Sequence, residues 1–447
     1  MTAGKPAKLM MSFAIPLIIA NLGQQLYMIV DTIIVGKGVG VEALAAVGAA
    51  DWSYWLALWV IQAMTQGFAI SISHSFGEGN QGRIKTTVAM SIWLCALIGS
   101  IMTVICLSIG KALLRLLQTP EAIFGNASAY LLTMYSGILV VMAYNMAAAI
   151  LRAFGDSKTP LVAIAIAGVA NIVLDLLFVL RLHWGVVGAA VATVLAQFLA
   201  FLYCMLVFRK MDLVKMSRED WKPNWNIIRN QCRLGFPPAL QHVLISTGGM
   251  ILQSAINQQG FVFIAGFTAT NKIYGLLESS AVSLGFAATT YTAQNYGAGL
   301  YERIREGLKS SVRIAILMSV CISVVMIGVG RYLLELFIDQ TNANAQDVLQ
   351  IAYQYLFIMS CLLWFLYLLY AFRNTLQGLG NTSAAFASGV LEFLARVSVA
   401  LIFSRIWGAK AIFCAEPCAW IAATILLAVV CIRKVKALPR NSNRHSG

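Results

Sequence analysis

Apolar runs of about twenty residues, separated by short polar connections, recur along the whole chain, and a run of that length with few charges reads as a membrane-spanning helix. Spans are predicted over 12–36, 47–75, 86–110, 122–151, 160–180, 185–208, 232–258, 261–292, 308–330, 348–376, 383–404 and 408–432. Most connections are short. The exception is Arg209 to Arg233, which is polar and contains Arg218-Glu219-Asp220-Trp221-Lys222-Pro223. It divides the chain into an N-terminal lobe of six spans (1–208), a linker (209–232), a C-terminal lobe of six spans (233–432) and a basic tail (433–447). The expected fold class is an all-α integral membrane protein of twelve transmembrane helices in two parallel six-helix lobes.

The two halves repeat. Phe13-Ala14-Ile15-Pro16 matches Leu234-Gly235-Phe236-Pro237, and Ser75-Phe76-Gly77-Glu78-Gly79 matches Asn295-Tyr296-Gly297-Ala298-Gly299. Leu151-Arg152-Ala153-Phe154-Gly155-Asp156-Ser157 matches Leu376-Gln377-Gly378-Leu379-Gly380-Asn381-Thr382, and Trp184-Gly185 matches Trp407-Gly408. An even number of spans per half inserts both halves the same way up, the arrangement of a parallel repeat suited to alternating access. Pro16 removes a backbone donor inside the first span and is a candidate hinge.

Composition agrees. Hydrophobic residues make up 60% and charged residues 11% of the 447, against about 25% charged in soluble domains. That excludes a disordered chain, a secreted disulfide scaffold and a soluble enzyme. The net charge of +14 is a matter of position. With the N-terminus inside, the loops on that side hold most of the 32 Lys and Arg, which sets both termini in the cytoplasm. The surplus then meets anionic lipid heads, and no nucleic-acid partner is expected. Lys5 and Lys8 precede a span of full length with no small-residue cleavage site, which reads as a first transmembrane helix. The nine cysteines show no C-x-x-C spacing and are expected to pack as small buried hydrophobes.

Acids inside spans are the informative residues, because a carboxylate at the bilayer centre costs about 3 kcal/mol or more. Asp31, Asp175, Glu278, Glu392 and Glu416 fall there. Asp31 and Asp175 each lie five residues below the outer end of an outward-running span, Asn171 sits one turn below Asp175, and Thr193 sits eight residues below the outer surface. At 1.5 Å per residue these groups share a depth of roughly 7–14 Å. Tyr27 precedes Asp31 by one turn. Two carboxylates, an amide and a hydroxyl suit a small hard cation such as Na+, and paired carboxylates in a low dielectric suit H+ equally. Polar glue between helices returns only about 0.6 kcal/mol per group, too little for two acids without a nearby Lys or Arg in spans 1, 5 or 6. The second half lacks the pair: Leu252 aligns with Asp31, and Ala400 falls near the match of Asp175. Glu392 and Arg396, one turn apart, are expected to form a structural ion pair. Glu278 is a candidate substrate contact.

These residues resemble the multidrug and toxic compound extrusion (MATE) family. The likeness rests on the early prolines of spans 1 and 7, the Phe76-Gly77-Glu78-Gly79-Asn80 loop, the Arg152-to-Pro160 loop and the Asn171-x-x-x-Asp175 pair. It is greatest to the prokaryotic branch called DinF-like, with an acid in helix 1. The resemblance implies a 6+6 transporter in a prokaryotic cytoplasmic membrane that exports organic cations in exchange for Na+ or H+. It also implies an N-lobe cation site at Tyr27, Asp31, Asn171, Asp175 and Thr193, with Asn145 lining the lobe. No enzyme activity and no cofactor are expected, and a monomer is. Spans 7 and 10 carry no acid, unlike the NorM branch. A flippase for lipid-linked saccharides would line its cavity with several basic residues, whereas Lys272 and Arg396 are the ones counted in this reading. A membrane prenyl transferase would need an Asp-rich metal motif, and the sequence has none.

Overall fold

The computed structural model describes residues 1–338 and 344–439; residues 440–447 of the predicted tail lie outside them. Among the described residues twelve long helices follow in order: α1 (Pro6–Gly38), α2 (Val41–Gly77), α3 (Gln81–Leu116), α4 in two arms (Glu121–Ser136 and Ile138–Ala153), α5 (Lys158–Arg181), α6 (Gly185–Phe208), α7 (Trp225–Asn257), α8 (Phe261–Gly297), α9 (Tyr301–Glu335), α10 (Ala345–Gly378), α11 (Thr382–Trp407) and α12 (Lys410–Lys436). Helix is the conformation that satisfies every backbone group within its own segment, as lipid requires. Among the described residues nine helices are long and apolar enough to span, ten when the arms of α4 are one span bent by 46°. The other two, α7 and α8, are as long but more polar. Residues 225–232, assigned to the linker from sequence, form the first turns of α7.

The repeat persists in the backbone. Gly79 and Gly299 close matched turns at φ 71° and 70°, a left-handed conformation that glycine adopts without a Cβ penalty. Helices α5 and α11 each carry a π-helical turn at the matched place, Leu176–Arg181 and Val399–Phe403. Such turns mark functional positions in many helices.

The chain forms two compact units whose boundaries fall beside the matched prolines. One comprises Ile15–Ala239; the other comprises Met1–Ala14 with the described residues from Leu240 onward. In the first unit α2 is wrapped by α3 and α4, and α5 packs along α6. The opening turns of α7 dock there at a glycine contact: a Cβ on Gly67 would stand 2.6 Å from the Leu234 carbonyl oxygen. Gln231 seals the joint, its amide donating to Ser91 Oγ at 2.7 Å and the Thr87 carbonyl at 2.9 Å. In the second unit α10 is the wrapped helix, lying against α8, α9 and α12. Met134, Met142 and Met146 are core residues.

Of the nine cysteines, Cys95, Cys204 and Cys431 are buried, but Cys321, Cys361, Cys414 and Cys418 are exposed on the protein surface. The expectation of burial is corrected there. Lipid tails are as apolar as a core, so a thiol loses nothing by facing them.

Candidate cation-coupling site

Three helices of the first unit build the site. Asn171 and Asp175 are one turn apart on the buried face of α5, and Asp175 is the last residue before the π-helical turn. Helix α1 reaches them at Gly168, whose missing side chain admits the Tyr27 ring; a Cβ there would sit 3.2 Å from Tyr27 Cδ1. One turn along α1, Asp31 places its carboxyl group close to that of Asp175. Thr193 of α6 accepts from Asn171 Nδ2 at 3.4 Å and donates to the Ala189 carbonyl at 3.1 Å.

Asp175 is 0% exposed. Neither of its oxygens has a hydrogen-bond partner, and the same holds for Asp31 Oδ1, Asn171 Oδ1 and Gln197 Oε1. Buried acceptors are nearly always matched by donors, and leaving one unmatched costs about 1–3 kcal/mol. Five orphan acceptors gathered on α1, α5 and α6 therefore describe an oxygen-rich pocket that lacks positive charge. A proton between the carboxylates or a small hard cation among the oxygens would supply it. Of the predicted residues, Tyr27, Asp31, Asn171, Asp175 and Thr193 come together. Asn145, expected to line the lobe, is partly buried on α4, where its amide donates to the Val141 carbonyl at 2.8 Å.

Sequence reasoning missed four neighbours. Gln197 lies beside Tyr27 and follows Thr193 by one turn of α6, a spacing that was legible. Asp51 of α2 is a sixth acid within a span. Beside it Trp52, Trp55 and Trp59 pack on one another, with ring centroids 6.1 and 6.2 Å apart for Trp52–Trp59 and Trp55–Trp59. Tyr54 and Tyr130 sit within electrostatic range of Asp51, and Tyr130 also of Asp31 and Asp175.

In the second unit the expected Glu392–Arg396 pair does not form. Glu392 pairs with Arg373 of α10, and Arg396 with Glu416 of α12. A buried guanidinium gains more from a carboxylate on a facing helix, where a bidentate geometry is open to it, than from one on its own helix. Arg373 is itself a buried residue.

The MatE family model matches residues 16–177 and 237–402, most of both halves. The probable multidrug resistance protein YpnP of Bacillus subtilis (strain 168) is 31% identical over 367 residues, covering 80% of this chain and 81% of that protein. The probable multidrug resistance protein NorM of Thermotoga maritima is 24% identical, covering 84% of this chain and 80% of its own. Among solved structures, a MATE in the bent conformation superposes with a TM-score of 0.89 at 23% identity, covering 97% of this chain and 96% of that one. A MOP superfamily transporter from Pyrococcus furiosus, described as having a binding pocket of reverse polarity, superposes at 0.91 with 23% identity and 98% coverage of both. This chain is a multi-pass membrane protein that belongs to the MATE family.

Proposed function

We propose that this protein is a secondary active exporter of amphipathic organic cations, exchanging them for Na+ or H+ at the Asp31–Asp175 pocket. The observation that carries the reading is the group of orphan acceptors on α1, α5 and α6. Two carboxylates with three unmatched buried oxygens between them bind positive charge and release it when the pocket changes shape. As a proton site, Asp31 and Asp175 share the proton; as a Na+ site, Asp31, Asn171, Asp175 and Thr193 supply the oxygens. An ion that binds one conformation better than the other shifts the population toward it, which is what drives export against a gradient. Loop charge supports cytoplasmic termini and so a pocket in the outer half of the cell membrane, where the driving ion enters. The relatives' names support drug-like cargo. A saccharide-lipid flippase is disfavoured, because Arg373 and Arg396 are each neutralised by a glutamate and offer little to a pyrophosphate.

The test is efflux of a fluorescent organic cation from cells lacking their own exporters. Asp31→Asn and Asp175→Asn reach the membrane at wild-type levels and lose efflux. Undiminished efflux from both variants overturns the assignment.

A further inference from the structure

The matched turns that follow α2 and α8 differ at one charged position. In the first half Arg83 of α3 pairs with Glu78 of the turn, Nη1 to Oε2 at 2.8 Å. The repeat puts Arg303 of α9 at the place of Arg83 and Ala298 at the place of Glu78. The second guanidinium therefore has no carboxylate in its turn, and among the described residues no other ion pair includes it. The neighbouring Arg305 is paired with Glu302.

Arg303 holds neutral oxygens instead. Its Nε donates to Asn295 Oδ1 at 2.9 Å, and its Nη2 donates to the Gly4 carbonyl at 3.0 Å and the Met1 carbonyl at 3.3 Å. The buried Asn295 amide donates to the same Met1 carbonyl at 3.4 Å, and Gln294 Oε1 accepts from the Met1 nitrogen at 2.6 Å. Residues 1–4 are thus laid on the α8–α9 turn, all within one compact unit. Further along, Met10 of α1 is buried against Gly307, where a Cβ would stand 3.3 Å from Met10 Cε. Tyr291 braces the arginine: its hydroxyl donates to the Arg303 carbonyl at 3.1 Å, and the guanidinium carbon lies 5.8 Å from its ring centroid.

A hydrogen bond with both partners ionised is about twice as strong as a neutral one, and the flat fork of an arginine matches two oxygens of a carboxylate or phosphate. Arg303 is half-buried and within reach of solvent. Two backbone carbonyls are weak competitors for it.

We propose that the α8–α9 turn is an oxyanion-released clasp. Through Arg303 it holds residues 1–4, and with them the start of α1; it lets them go when a phosphate oxyanion takes the guanidinium as Glu78 takes Arg83. The phosphate belongs either to a free anion or to the head group of an anionic phospholipid. Loop charge assigns this turn to the cytoplasmic side, where both are met. Only hydrogen bonds are exchanged, and no covalent bond changes.

A nitroxide on Ala3→Cys reads the clasp by electron paramagnetic resonance. The full-length chain carries alanine at the exposed Cys321, Cys361, Cys414 and Cys418, sits in phosphatidylcholine discs, and is corrected for the signal without Ala3→Cys. Its spectrum is immobilised in the absence of phosphate. Ala298→Glu, which gives the second turn the carboxylate of the first, abolishes the immobilised component, and so does Arg303→Gln; Glu78→Ala leaves it in place. With Ala298 and Arg303 intact, inorganic phosphate abolishes it if the free anion is the ligand. Phosphatidylglycerol in the disc abolishes it without added phosphate if the head group is the ligand. Sodium chloride at equal ionic strength does not. A spectrum mobile from the start, an immobilised one in Ala298→Glu, indifference to both phosphate and phosphatidylglycerol, or an equal response to chloride overturns the proposal. Should Ala298→Glu not fold, the phosphate and phosphatidylglycerol arms decide on the unsubstituted turn. Neither Asp31, Asp175 nor efflux enters these readings, so their failure and that of the coupling site are separate.

Discussion

The carboxyl groups of Asp31 in α1 and Asp175 in α5 lie close to each other, and three of their four oxygens are buried without a hydrogen-bond partner. A fold that optimised stability alone would place a donor there. Stability is instead given up at the site that has to release its ligand.

This relationship predicts how Asp175→Asn behaves. The amide keeps the size of the side chain, removes one of two like charges and adds a donor for Asp31. Thermal stability in detergent is therefore equal to wild type or higher, while efflux falls at least tenfold, ~1.4 kcal/mol. A variant that unfolds early contradicts the site.

The ion pairs of the second unit predict a coupling pattern. Removing one partner of a buried pair costs about 3–5 kcal/mol, and replacing both partners with apolar residues recovers much of it. Double-mutant cycles on thermal stability give strong coupling for Arg373 with Glu392 and for Arg396 with Glu416. Glu392 with Arg396 couples weakly despite being one turn apart.

Gly67 predicts a packing defect far from any charge. Gly67→Ala drives a methyl group into the Leu234–Gly235 backbone, where overpacking costs about 1–3 kcal/mol. The opening turns of α7 loosen, and trypsin cleaves at Arg229 or Arg233 faster than in wild type. An unchanged digestion rate contradicts the docking.

Topology is checked in the polar connection. Asp220 accepts from the Ser217 backbone N–H at 2.7 Å and its hydroxyl at 2.8 Å, so the connection holds an exposed turn. A single cysteine at Ser217 in a cysteine-free chain reacts with a membrane-impermeant maleimide in inside-out vesicles and not in intact cells. Labelling from outside contradicts cytoplasmic termini.

Much of this was legible in the sequence because lipid leaves so few options. Span length, the matched glycines and the equal depth of Asp31 and Asp175 follow from a bilayer of fixed thickness and a repeat of fixed offset. Partners across helices were not legible. Glu392 and Arg396 satisfy the within-helix spacing, yet each finds its partner on another helix, which only the rotation of α10 and α12 decides. The exposed cysteines were not legible either, because a lipid-facing surface and a core share one composition.

The most direct measurement is efflux of a fluorescent cation from proteoliposomes with Na+ and pH gradients imposed separately, for wild type and for Asp31→Asn/Asp175→Asn. Wild type exports under an inward gradient of one of the two ions, and the double variant exports under neither. Gradient-driven export by the double variant at the wild-type rate would contradict a coupling role for the Asp31–Asp175 pocket.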